Sequence, residues 1–167
     1  MDGGFIGYPY EPKDFPNYET YSLFRSIFHN QSISDIDTDK IDLEYRDKGG
    51  FTALQRAGTC NSSIILKLIR SGADYNVSND RGWSILHNVS KYCLETVNEL
   101  LNLGIDIDIR NNDLRTPLMI VSDVGHTVIV KELIDRGASI NLTDINGRTA
   151  LSLASMKGHA KVVKLLL

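Results

Sequence analysis

Cysteine is scarce in this chain. Two residues, Cys60 and Cys93, are all that its 167 positions contain. That is too few for a disulfide framework, so stability must come from a packed core. Both are read as plain thiols. No apolar run approaches the roughly 18–20 residues that cross a bilayer. No basic stripe stands out, and the formal net charge is −3, so electrostatic attraction to nucleic acid or to an anionic membrane has no basis. The opening Met1-Asp2-Gly3-Gly4-Phe5 lacks the basic start and apolar core of a secretory signal. A reducing, cytoplasmic setting is therefore expected. Five Asn-x-Ser/Thr triplets, at Asn30, Asn61, Asn76, Asn88 and Asn141, are then chance matches rather than glycan sites.

Catalytic and metal-binding signals are missing as well. There is no Gly-rich phosphate loop, nucleophile elbow or His-Glu-x-x-His motif, so no enzymatic activity is expected. Asp35-x-Asp37-x-Asp39 begins like a calcium loop, but Lys40 and Arg46 occupy the sixth and twelfth places, where glycine and glutamate are needed. The four histidines, His29, His87, His126 and His159, do not fall into a tetrahedral ligand set, and structural bonding to nearby loop backbone is expected of them. No metal and no cofactor is expected.

What the chain has is ordinary globular composition, 42% hydrophobic and 23% charged, enough for one continuous core. It also has a period. Thr52-Ala53-Leu54, Ser84-Ile85-Leu86, Thr116-Pro117-Leu118 and Thr149-Ala150-Leu151 follow one another at steps of 32, 32 and 33 residues. A period of this size marks a stacked repeat protein, whose activity is usually recognition along an extended surface.

Each unit opens with a turn: Asp47-Lys48-Gly49-Gly50, Asn79-Asp80-Arg81-Gly82, Asn111-Asn112-Asp113-Leu114 and Asp144-Ile145-Asn146-Gly147. Asp and Asn bond their own turn backbone, and Gly supplies positive φ. Leu114 breaks this pattern, which predicts an altered or strained third turn. The Thr or Ser two residues further on suits a helix N-cap, and Pro117 suits a first helical position. Leu54, Leu86, Leu118 and Leu151, with Ala57, Val89, Val121 and Ala154 one turn later, begin the buried face of a short helix. A second helix carries its apolar stripe at Ile64-Ile65-Leu68-Ile69, Thr96-Val97-Leu100-Leu101, Ile129-Val130-Leu133-Ile134 and Val162-Val163-Leu166-Leu167. Gly72, Gly104 and Gly137 are placed to close three of these helices. The segments 73–76, 105–108 and 138–141 are read as short extended links to the next turn.

These coupled positions resemble the ankyrin-repeat family over residues 41–167. The third unit is nearest, with Thr116-Pro117-Leu118, Gly125-His126, Ile129-Val130, Leu133-Ile134 and Gly137-Ala138. The resemblance implies an all-α solenoid of helix-turn-helix units joined by β-turn or hairpin loops. Units 1 and 2 depart from it. They are one residue shorter between their helices and lack the Gly-His pair, so their inter-helix turns at 58–61 and 90–93 should differ. The expected organisation is a flexible tail at 1–17, a degenerate repeat or cap at 18–46, and repeats at 47–78, 79–110, 111–143 and 144–167, the last incomplete.

The resemblance also implies a protein-binding module that uses its concave groove and turn tips. One ladder runs through the turns: Phe51, Trp83, Arg115 and Arg148, aromatic at one end and cationic at the other. The chain's one tryptophan sits in it, and Trp, Arg and Phe are favoured at interface hot spots. Asp80, Arg81, Tyr92, Asn112, Asp113 and Asn146 complete the candidate surface, with Lys48, Lys91, Met156 and Lys157 beside it. Packing on neighbouring turns and simple solvation are the structural alternatives for these residues. The chain stops at Leu167, with Val162, Val163, Leu165, Leu166 and Leu167 leaving that end apolar. It is read as a fragment of a longer array, with a frayed last helix, or a face covered by a partner or a second copy, as alternatives. A monomer is otherwise expected. A truncated or degenerate array with no independent activity is the alternative to a binding module. Richness in Ile, Asn and Asp resembles ankyrin proteins of AT-rich genomes, such as large DNA viruses and obligate intracellular bacteria, where the family often supplies host-directed proteins.

Overall fold

The computed structural model describes residues 9–58, 62–89 and 93–167. Its architecture follows from four polar residues, one at the base of each turn. Asp47, Asn79, Asn111 and Asp144 are buried. Each side chain accepts hydrogen bonds from two backbone N–H groups, two and four residues further on. The donors are Gly49 and Phe51, Arg81 and Trp83, Asp113 and Arg115, and Asn146 and Arg148, at 2.8–3.2 Å. This satisfies buried donors that no strand partner reaches. Gly50, Gly82 and Gly147 take positive φ in these turns, and so does Leu114, at 58°. The third turn keeps the bonding of the others, with the Leu114 N–H donating to the Asn111 carbonyl at 2.9 Å. It is strained rather than altered.

A helix pair follows each turn. The first helices are α2 (Ala53–Ala57), α4 (Ile85–Val89), α6 (Pro117–Val124) and α8 (Ala150–Met156), and the second are α3 (Ser62–Arg70), α5 (Leu94–Asn102), α7 (Thr127–Asp135) and α9 (Ala160–Leu166). Thr52, Thr116 and Thr149 cap the first helices by accepting from the backbone N–H three residues on. The Ser84 hydroxyl stands 3.5 Å from the His87 N–H. Gly72, Gly104 and Gly137 are left-handed after the second helices, as C-cap chemistry requires. First helices stack on first helices and second on second. One hydrophobic core therefore runs the length of the array.

The stack continues ahead of the first turn. Helix α1 (Tyr18–Phe28) packs on α2, in the place of a first helix. A loop ending in a short 3-10 turn at Thr38–Lys40 stands where a second helix would be. Lys67 of α3 donates to the carbonyls of Ile33, Ser34 and Ile36, joining that loop to the array.

Three expectations need correction. Of the expected tail, residues 9–17 are folded. Phe15 is buried with its ring 5.2 Å from Phe24 and 5.6 Å from Tyr45, and the Tyr45 hydroxyl donates to the Asp14 carbonyl at 2.7 Å. Residues 1–8 lie outside the described part. The links after each glycine are turns rather than extended segments. The Asp74 and Asp106 carboxylates accept from the N–H two residues on, at 2.8 and 3.0 Å. At the fourth unit, Val162 and Leu166 are buried, and Leu151, Val163 and Leu165 are half-buried against the core. Leu167 is the residue of that apolar set left exposed. The expected differences at 59–61 and 90–92, together with Cys60, lie outside the described residues.

Candidate functional site

The ladder residues are placed by backbone before side chain. The N–H groups of Phe51, Trp83, Arg115 and Arg148 are the second donors to the buried turn residues. All four side chains are half-buried. Each lies beside a group of its own unit. The Arg56 guanidinium sits 4.2 Å above the Phe51 ring and bonds the Asp47 carboxylate at 2.6 Å. Trp83 tilts against His87, with ring centroids 5.6 Å apart. Arg115 pairs with Asp123 at 3.0 Å and Arg148 with Asp144 at 2.8 Å. The cationic half of the ladder is thus offset by carboxylates that its spacing in the sequence did not reveal.

Asp144 shows what this pairing does. Burial pushes its carboxyl up, but the Arg148 guanidinium and the N–H groups of Arg148 and Asn146 together hold it below the usual aspartate value. In the third unit the acid is replaced by Asn111. Its Nδ2 and the Nε of Arg115 are buried donors without an acceptor among the described residues.

Between units, two polar side chains occupy one register position. The Gln55 carbonyl oxygen accepts from the Thr52 N–H at 3.0 Å, and its Nε2 donates to the Val77 and Trp83 carbonyls at 3.3 and 3.4 Å. His87 lies 32 residues on and is fully buried. Its Nδ1 is 3.2 Å from the Ser84 N–H, and its Nε2 is 2.9 Å from the Arg115 carbonyl. An N–H can only donate, so Nδ1 accepts and Nε2 carries the proton. The next residues in this register are Met119, which is buried, and Ser152, whose hydroxyl donates to the Thr149 carbonyl of its own unit. His159 works at the inter-helix loop, with Nε2 3.0 Å from the Asp123 carbonyl. His29 and His126 are exposed.

Asp80, Arg81, Asn112, Asp113 and Asn146 are all exposed at the turn tips. Lys48 is tied to Asp14 at 2.7 Å, and this bond holds the Asp14 carboxyl below its usual value. Met156 and Lys157 are exposed at the end of α8. Tyr92 and Lys91 lie outside the described residues. Two tip residues had not been counted as candidates: Ile145 is 64% exposed and Leu114 is 42% exposed. Their signal was an apolar residue at a turn position where the other units place polar residues or glycine. Cys93 caps α5 beside the Ser62 and Thr96 hydroxyls, at 3.0 and 3.2 Å. Burial pushes its thiol up, but these bonds and the N–H groups of Thr96 and Glu95 hold it below the usual value. Among the described residues no group of three or more His, Cys, Asp or Glu could hold a metal ion, and no helix is long and apolar enough to cross a membrane.

Stacked helix pairs joined by asparagine- and aspartate-based turns define a helical repeat solenoid. The family model for ankyrin repeats (3 copies) matches residues 52–144 and again 86–167. Together the matches run from 52 to 167, more than half of the chain, and the chain belongs to the ankyrin-repeat family. None of the curated proteins compared with it matches. Ankyrin repeats are generally protein–protein interaction modules, and the family is typically non-enzymatic.

Proposed function

We propose that this chain binds a partner protein along its turn tips and first helices, with Trp83 at the centre of the contact. The observation that carries this reading is the rigidity of the tips. Every ladder residue has its backbone N–H bonded to a buried side chain of the same turn, while the neighbouring tip side chains stand in solvent. A surface ordered before association loses little conformational freedom on binding. A half-buried tryptophan in that row supplies the broad apolar contact that anchors interfaces. Leu114 and Ile145 extend the same surface toward the fourth unit, where adjacent tips are bonded through the Asp113 carbonyl and the Ile145 N–H.

The test compares three proteins in a quantitative affinity capture: wild type, Trp83→Ala, and Lys131→Ala on an exposed position of α7. Trp83→Ala is expected to weaken the captured partner at least tenfold, about 1.4 kcal/mol or more. Lys131→Ala is expected to leave affinity unchanged, and all three should melt cooperatively. Equal affinity for wild type and Trp83→Ala would remove Trp83 from the contact.

A further inference from the structure

The tips of units 2, 3 and 4 are tied together in one register. The Asn112 N–H donates to the Arg81 carbonyl at 3.1 Å, and the Ile145 N–H to the Asp113 carbonyl at 2.9 Å. The same register sets the Asp80 N–H against the Gly49 carbonyl. There no bond is made, and neither group has a hydrogen-bond partner among the described residues. In its place lies a cavity of about 440 Å³ lined by Gly49, Phe51, Asn79, Asp80 and Arg81. Ligand pockets run from roughly 300 to 1,000 Å³, so this one has ample room to admit a long side chain.

Its walls are mostly electron-rich. The Gly49 carbonyl is one acceptor. The Asp80 carboxylate is another. It rests against Gly50, 2.7 Å from where a Cβ would stand, and makes no hydrogen bond or ion pair among the described residues. Phe51 contributes an aromatic ring that already carries a guanidinium, that of Arg56, at 4.2 Å. An unpaired carboxylate, a free carbonyl and an aromatic ring together favour a donor-rich cation. Two cations stand nearby among the described residues: Arg81 in the lining is exposed on a flexible stem, and the Arg56 guanidinium beside Gly49 and Phe51 is already paired with Asp47. The wider field agrees with a cationic occupant. All 21 acidic residues, but only 14 of the 18 Lys and Arg, lie within residues 1–144, a formal net charge of −7.

We propose that the gap between the first and second turn tips receives an arginine or lysine side chain from a basic segment of the partner protein. The cation donates to the Gly49 carbonyl and the Asp80 carboxylate, and its apolar stem lies along Phe51. This rests on the protein-binding reading above and adds the chemistry of the partner.

The full chain, labelled with 15N, is titrated with a hexa-arginine peptide and, separately, with hexa-glutamate. The amide signals of Gly49, Phe51 and Asp80 are expected to shift saturably with hexa-arginine and to stay in place with hexa-glutamate. Asp80→Asn should weaken the response at least tenfold, Asp80→Glu should retain most of it, and Asp113→Asn, at another tip, should change it less than twofold. The spectra also report whether each variant is folded. An undiminished response in Asp80→Asn overturns the proposal, as does a hexa-glutamate response at the same amides. A partner that depends on Trp83 but is indifferent to Asp80→Asn overturns the cation site and leaves the broader binding reading standing.

Discussion

In unit 1 the first helix is five residues long, in unit 2 its described part is Ile85–Val89, and each unit reaches the next through a polar side chain, Gln55 or His87. In units 3 and 4 the first helices are eight and seven residues long. There the same register holds the buried Met119 and an inward-turned Ser152, and a glycine in left-handed conformation ends each helix, Gly125 and Gly158. One repeat plan is therefore joined in two ways. The early joints rely on directional hydrogen bonds between units. The later joint adds apolar packing between longer helices to a bond made at the inter-helix loop, where His159 Nε2 donates to the Asp123 carbonyl with its ring set over Gly125. At the early joints one well-placed amide or imidazole satisfies groups that packing would otherwise have to cover.

The most damaging way to break this contrast is at His87. His87→Leu removes the acceptor of the Ser84 N–H and the donor to the Arg115 carbonyl, in a fully buried place. A loss of about 3 kcal/mol is expected from chemical denaturation. His87→Gln, which imports the chemistry of Gln55, should cost under about 1 kcal/mol. Equal losses for the two would show that shape rather than hydrogen bonding makes the early joint.

Next comes the glycine pair of the later units. A Cβ on Gly125 would stand 2.6 Å from Nδ1 of His159, at φ +86°, whereas one on Gly158, at φ +74°, would meet nothing within 4 Å. Gly158→Ala is expected to cost about 1 kcal/mol of backbone strain, and Gly125→Ala about 2 kcal/mol or more as His159 is displaced as well. Melting temperatures that fall equally would mean that His159 does not support the joint.

The smallest effect is expected at the turn bases. Asp144 has its folded-state pKa held below the ordinary 3.8. The stability it contributes is therefore present above pH 3.8 and is lost as pH falls through the lower folded value. Asp144→Asn keeps the two turn bonds, as Asn79 and Asn111 do, so it should cost under about 1 kcal/mol at neutral pH and flatten this acid limb. The reciprocal Asn111→Asp should give Arg115 Nε an acceptor and add an acid limb of its own. An unchanged acid profile in both variants would exclude these turns as its source.

Local features were legible before the fold was known. The caps at Thr52, Thr116 and Thr149, the left-handed glycines and the strain at Leu114 depend on residues a few positions apart, and spacing alone exposes them. The helical stripes were legible for the same reason. The partners of the ladder were not. Arg115 reaches Asp123 eight residues on, Phe51 lies under Arg56, and His87 bonds a carbonyl 28 residues away. Such pairings depend on how helix and turn sit against each other. The folding of residues 9–17 was hidden likewise, because proline and glycine suggest mobility, while Phe15 finds its ring partners only once α1 has packed. The gap between the first two tips was invisible for a plainer reason: Gly49 and Asp80 carry nothing in their identity that forbids a backbone bond.

Arg46 and Arg110 stand 64 residues apart, two repeats. Arg46 donates to the Gly50 and Ser78 carbonyls at 2.8 and 3.1 Å, and Arg110 donates to the Leu114 and Thr143 carbonyls. Each guanidinium clasps its own turn to the following one. The position between them is Ser78, which cannot reach so far. At that joint the bridging group comes from the other side: Asn112 of the third turn reaches back, its N–H donating to the Arg81 carbonyl at 3.1 Å and its Nδ2 to the Asp80 carbonyl at 2.9 Å, so the array alternates forward and backward clasps.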